Sequence, residues 1–159
     1  MNYLEEIAKI SSQAQQLKHV QSELILTPVE KRSSHQHCML CGTQPTFGLQ
    51  LNFYADQNND IWTYTKGSIH QQGYQGILHG GFIAALLDAS MCNLIFNQDE
   101  EAVTADMNIR YLAEIPMTSE MIVHAKIIKT YLSLYKVEAE VYVKDQLMAK
   151  SSARFMKRA

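Results

Sequence analysis

The chain has 159 residues, 47% hydrophobic and 19% charged, a balance that excludes wholesale disorder and suits one domain with its own core. Its formal net charge of −2 supplies no basic field that would draw it to nucleic acid or anionic lipid. The longest apolar run, Phe82 to Leu87, falls far short of the ~20 residues of a membrane span. The acidic start Met1-Asn2-Tyr3-Leu4-Glu5-Glu6 lacks the features of a signal peptide, and an odd count of three cysteines argues against a disulfide framework. A soluble cytoplasmic protein is the expectation.

Apolar residues at three- and four-residue steps (Leu4, Ile7, Ile10, Ala14, Leu17, Val20, Leu24) predict an amphipathic helix over 2–25. Pro28 and the polar run 30–34 mark a linker near 27–37, so residues 1–34 read as helix plus linker and 35–159 as the main unit. Alternation of Leu49, Leu51, Phe53 and Ala55 predicts a strand, and Asn58-Asn59-Asp60 a turn into a second strand at 61–66. A glycine-bearing loop over 67–78 opens onto a helix at about 80–96. Asp88 is the only charged residue between Gly80 and Gln98, which predicts burial on nearly all sides of that helix. From 102 onward the period is two. Val103, Ala105, Met107, Ile109 and Tyr111 are expected on one face of a strand, with three further strands to residue 157. About six strands and one buried helix define an α+β fold: an antiparallel sheet with a helix against one face.

Two features carry chemistry. Gly80 and Gly81 at the helix start leave backbone N–H groups uncovered at the positive end of the helix dipole, where an oxyanion formed in acyl transfer would be stabilised. Asp88 lies in an apolar helix among Ala84, Ala85, Met91 and Cys92, a setting that suits a general base or nucleophile. A carboxylate bonded across the core is the alternative. His79 and Asp88 are nine residues apart, about 13 Å along a helix axis, too far to act on one carbonyl within a subunit. Two such helices antiparallel across a two-fold axis would bring one subunit's glycine amides beside the other's Asp88.

The run Gly73-Tyr74-Gln75-Gly76-Ile77-Leu78-His79-Gly80-Gly81, with Asp88 nine residues after His79, resembles the hotdog-fold acyl-CoA thioesterases, in particular the phenylacetate-type group and thioesterase superfamily members four and five. Cys38-Met39-Leu40-Cys41-Gly42, then Gly48-Leu49-Gln50-Leu51, and the strand Ala102 to Tyr111 agree with that pattern. The resemblance implies a curved antiparallel sheet around one central helix. It also implies homodimers or homotetramers with the site at the subunit interface, and hydrolysis of an acyl-CoA thioester without metal or cofactor. By position it makes Asp88 the catalytic acid and puts Gly80 and Gly81 at the oxyanion-binding amide. His79 becomes a site-shaping histidine, and Thr104 helps to place the attacking water. Two positions depart from it: Gly73 stands where some relatives carry Asn or Gln, and Cys92 where some carry Ser or Thr.

The segment His35-Gln36-His37-Cys38-Met39-Leu40-Cys41 offers zinc-type ligands at cramped spacing, and no metal is expected there. Cys92 reads as a small buried hydrophobe, with no histidine placed near it in sequence. The basic C-terminus (Lys150, Arg154, Lys157, Arg158) has a modest claim on the phosphates of CoA. No DNA-binding helix pair accompanies the domain. Two functions remain: an acyl-CoA hydrolase using Asp88, or a hotdog domain that binds acyl-CoA or another acyl ligand without turnover.

Overall fold

The computed structural model describes residues 2–21 and 23–159; positions 1 and 22, which fall within the predicted N-terminal unit 1–34, lie outside the described residues. Seven antiparallel strands form one sheet in the order β1-β2-β3-β5-β6-β7-β4. They are β1 (Thr27–Pro28), β2 (Tyr54–Ala55), β3 (Ile61–Lys66), β4 (Ala102–Tyr111), β5 (Glu120–Thr130), β6 (Leu134–Val143) and β7 (Gln146–Lys157). The helices are α1 (Tyr3–Gln16) and α2 (Gly80–Phe96). α2 packs on one face of the sheet, where Leu86, Leu87, Met91, Leu94 and Ile95 meet Met121, Val123, Val137, Val141, Ala149 and Phe155 in the main core. Each large apolar side chain buried there contributes roughly 1.5–3 kcal/mol.

α1 covers the opposite face. Ile10, Ala14, Leu17 and Leu24 bury Tyr54, Trp62, Tyr64, Ile122 and Tyr142, the residues that alternate with the core-facing members of β2, β3, β5 and β6. Asn2 caps the helix by accepting from the Leu4 N–H, and Glu5 completes a capping box. Lys9 Nζ reaches Glu120 at 2.7 Å and the Tyr64 hydroxyl at 2.9 Å, tying the helix to the sheet.

Several expectations are corrected. The helix ends at Gln16 rather than near 25, because Leu17 turns to an extended conformation. Leu17 and Leu24 are buried all the same, so their spacing reflects burial along an irregular segment over the sheet. Only Tyr54–Ala55 of the strand predicted over 49–55 pairs as a strand. Residues 49–51 bond instead to the preceding loop, Leu49 N–H to the Met39 carbonyl and Leu51 N–H to the Leu40 carbonyl. The predicted linker contributes β1, which raises the count from six strands to seven, and a single 3₁₀ turn at Ser33–His35.

In β4 the pairing with β7 shifts between Thr104 and Asp106, leaving Ala105 as a bulge. Thr104 pairs with buried Phe155, and Met107 with buried Ala153, so both face α2. Val103, paired with Met156, lies on the other face, which overturns the single-face reading of 103–111. Nor is α2 enclosed on all sides: Gly81, Ala84, Ala85, Asp88 and Cys92 line an incompletely buried stripe along it.

Candidate active site

The start of α2 is fixed by the loop before it. The His79 N–H donates to the Gln71 carbonyl at 2.8 Å and the Leu78 N–H to the Ile115 carbonyl at 2.9 Å. His79 is the helix N-cap, and its Nδ1 accepts the Gly81 N–H at 2.8 Å. With Nδ1 used as the acceptor, Nε2 is the ring nitrogen left to donate. A Cβ on Gly81 would come 3.0 Å from that Nδ1, so glycine is what lets the ring close over the turn. Of the two glycine amides expected to face a substrate, that of Gly81 is consequently occupied. The Gly80 N–H makes no hydrogen bond among the described residues. The first turn of α2 carries no acidic side chain, so the positive end of its dipole is not offset there.

Asp88 lies two and a half turns further along the open stripe of α2. The bulge at Ala105 aims Thr104 at it, and Thr104 Oγ1 donates to Asp88 Oδ1 at 2.6 Å across a sequence separation of sixteen. This bond fixes one carboxylate oxygen and leaves Oδ2 for another partner. Cys92, one turn beyond, is pushed up to about 12, first by burial and then by the Asp88 charge, so it is a thiol and no nucleophile at neutral pH.

A cleft of about 530 Å³ runs along the start of α2, walled by Met39, Leu40, Phe47, Leu49, His79 and Phe82. Its α2 lining ends at Ala85, one turn short of Asp88. A second cleft of about 490 Å³ lies on the other side of His79, between Tyr74 and Gly80. Within one chain the structure joins Asp88 to Thr104 and His79 to Gly81, as two separate clusters.

At the position of the family's Asn or Gln, Gly73 packs against His79: a Cβ there would approach the His79 Cα to 3.1 Å. Gln72 Oε1 is engaged by the Gly76 N–H. Three of the four basic C-terminal residues are neutralised, Arg154 by Asp106, Lys157 by Glu100 and Arg158 by Glu101. One contact was not foreseen. The Tyr111 hydroxyl donates to the Gly80 carbonyl at 2.8 Å and so ties the end of β4 to the start of α2. Nothing in an alternating strand sets apart the one tyrosine that makes such a bond.

A long helix seated in an antiparallel sheet, with an acid on the helix's open stripe, defines a hotdog domain. Solved thioesterases share this fold. The zebrafish thioesterase superfamily member 2 superposes with a TM-score of 0.66 at 17% identity, over 79% of this chain and 94% of its own. The protein smu.793 of Streptococcus mutans, solved bound to acetyl CoA, gives 0.64 at 18% identity, over 69% of this chain and 89% of its own. Residues 75–150, just under half of the chain, match the thioesterase superfamily model. Rat (Rattus norvegicus) acyl-coenzyme A thioesterase THEM4 is 34% identical over 79 residues, which is 48% of this chain. That match spans only 33% of the rat protein's length.

Proposed function

We propose that the protein is an acyl-CoA thioesterase that hydrolyses its substrate to free acid and CoA. The observation that carries this reading is the 2.6 Å bond from Thr104 to Asp88 on the open stripe of α2, with the Gly80 amide unoccupied at the helix start. The rat relative's identity as an acyl-coenzyme A thioesterase and the acetyl CoA bound to the S. mutans protein support the substrate class.

In the proposed reaction Asp88 acts as general base, or attacks the carbonyl itself as nucleophile. As base, its free oxygen takes a proton from water while the water oxygen bonds to the thioester carbonyl carbon. The carbonyl electron pair moves onto oxygen and is held by the Gly80 N–H and the positive end of α2. Collapse of that intermediate breaks the carbon–sulfur bond, and the CoA thiolate takes the proton from Asp88. Thr104 orients the carboxylate and offers its oxygen lone pairs to the water. His79 holds the turn through Gly81. No metal or organic cofactor enters this scheme.

The roughly 13 Å between His79 and Asp88 makes the site a product of two subunits. We propose a homodimer or homotetramer in which antiparallel α2 helices set the Gly80 amide of one subunit beside Asp88 of the other. β4 supports this reading, as a sheet edge with exposed Val103 and Tyr111 available for pairing. Three free thiols suit a cytoplasmic setting.

The test is thiol release from short-, medium-, long-chain and aryl acyl-CoAs by the wild type and Asp88→Asn. We expect turnover that falls by ~10²–10⁴ in a folded variant of unchanged oligomeric state. Binding of every acyl-CoA without thiol release would assign the chain to acyl-ligand binding instead.

A further inference from the structure

We infer that His35, Cys38 and Cys41 form a site for a zinc-class divalent metal ion, separate from the Asp88–Thr104 pair, with a fourth coordination position open to solvent.

The cramped sequence spacing is resolved by two successive tight turns. Ser33–His35 forms a 3₁₀ turn, the Cys38 N–H donates to the His35 carbonyl at 3.0 Å, and the Gly42 N–H donates to the Cys38 carbonyl at 2.9 Å. One nitrogen and two sulfur atoms of the three side chains thereby come within 4.8 Å of one another. Cys41 Sγ and His35 Nδ1 are 3.7 Å apart. Tetrahedral zinc with bonds of about 2.3 Å to sulfur and 2.0–2.1 Å to nitrogen sets that separation near 3.6 Å, so the Cys41–His35 pair already spans one edge of such a site.

The surroundings hold the ligands in place. A Cβ on Gly42 would lie 2.5 Å from the Gln36 carbonyl oxygen and 2.6 Å from the Cys38 backbone, so only glycine permits the chain to fold back here. The Leu40 N–H donates to Cys38 Sγ at 3.4 Å, a bond that favours thiolate. Lys31 Nζ donates to the Cys41 carbonyl at 2.9 Å and the Leu51 carbonyl at 3.0 Å. Phe96 stands edge-on to the His35 ring at 4.7 Å. A pocket of about 230 Å³ reaches His35 and Cys41 from outside, beside Thr43 and Asn93, and gives an ion its route and its fourth ligand space.

Two thiolates and a neutral imidazole select zinc over magnesium or calcium and neutralise its charge. Binding one ion would displace two thiol protons. Met39 and Leu40, between the two cysteines, wall the 530 Å³ cleft, so the ion would fix that wall. Two other groups of ligand-type side chains among the described residues, His19–His124–Glu140 and Asp56–Asp60–His124, both depend on His124, whose ring already bonds Asp60 at 2.8 Å and stacks on Trp62.

The experiment uses the full chain, purified under reducing conditions, stripped with chelator and titrated with Co²⁺. The expected result is a thiolate-to-cobalt charge-transfer band that saturates at one equivalent and is abolished by one equivalent of Zn²⁺. Cys38→Ser and His35→Ala should each weaken Zn²⁺ binding by about 100-fold or more, while Cys92→Ser leaves the titration unchanged. A folded, fully reduced wild type that shows no band overturns the proposal whatever the variants do. So does a band that survives Cys38→Ser unaltered, or one that Cys92→Ser removes.

Discussion

Gly80→Pro separates the proposed oxyanion donor from everything else at the start of α2. Gly80 is the first helical residue, a position whose N–H lies outside the helix ladder and where proline is favoured. The preceding residue, His79, has φ −65° and ψ 133°, the extended region that a following proline requires. The pyrrolidine ring has room, because Gly80 borders two open clefts. Proline at a compatible position stabilises by about 0.4–1 kcal/mol through the unfolded chain, so the variant should unfold at the wild-type denaturant concentration or slightly above it. Loss of the single donor should lower kcat by ~10²–10³, about 2.7–4 kcal/mol of transition-state stabilisation. Gly80→Ala is the control. Its Cβ would meet the Tyr111 ring at 3.5 Å, an ordinary contact, and it keeps the N–H, so kcat should stay within about threefold. The assay is steady-state thiol release, paired with chemical denaturation of all three proteins. A folded Gly80→Pro that turns over at the wild-type rate would refute the assignment, as would an alanine variant as impaired as the proline one.

Thr104→Val removes the hydroxyl on Asp88 and should lower kcat by roughly 10–100-fold, as expected for a bond to a charged group, whereas Thr104→Ser should keep most of the activity. Ile10→Ala, at a fully buried position in α1, should destabilise by about 2–4 kcal/mol in denaturant titrations yet leave kcat/KM unchanged, because α1 and α2 lie on opposite faces of the sheet. The Lys9 ammonium, and then the Tyr64 hydroxyl, hold the Glu120 carboxyl below its usual value of 4.5. A depressed folded value means that this pair supports docking of α1 above pH 4.5 and is lost as the pH falls through the lower folded value. Limited proteolysis of the first 26 residues should therefore accelerate below pH 4.5 in the wild type. In Glu120→Gln the rate should be nearly independent of pH across that window.

Local chemistry and periodicity determined most of the core. The apolar run with glycines at its head is α2 over 80–96, and the period-two pattern after 102 marks four strands, because side-chain alternation registers burial directly. The same signal misreads segments buried without regular structure. Leu17 and Leu24 lie under irregular chain, and Leu49, Leu51 and Phe53 face the core from a segment held by loop bonds, so their burial was legible and their backbone was not. Gly80, Gly81 and Asp88 were singled out by residue type and spacing on one helix, and His79 and Thr104 by their places in the family pattern. How Thr104 reaches Asp88 was decided by a bulge at Ala105, which no glycine or proline announces and which depends on register with β7. The division of the two glycine amides was likewise set by tertiary structure, since the His79 rotamer that occupies one of them answers to the loop packed around it. Sequence records which groups a chain owns and which faces it must bury; which of those groups meet is fixed when strands and helices settle their register against one another.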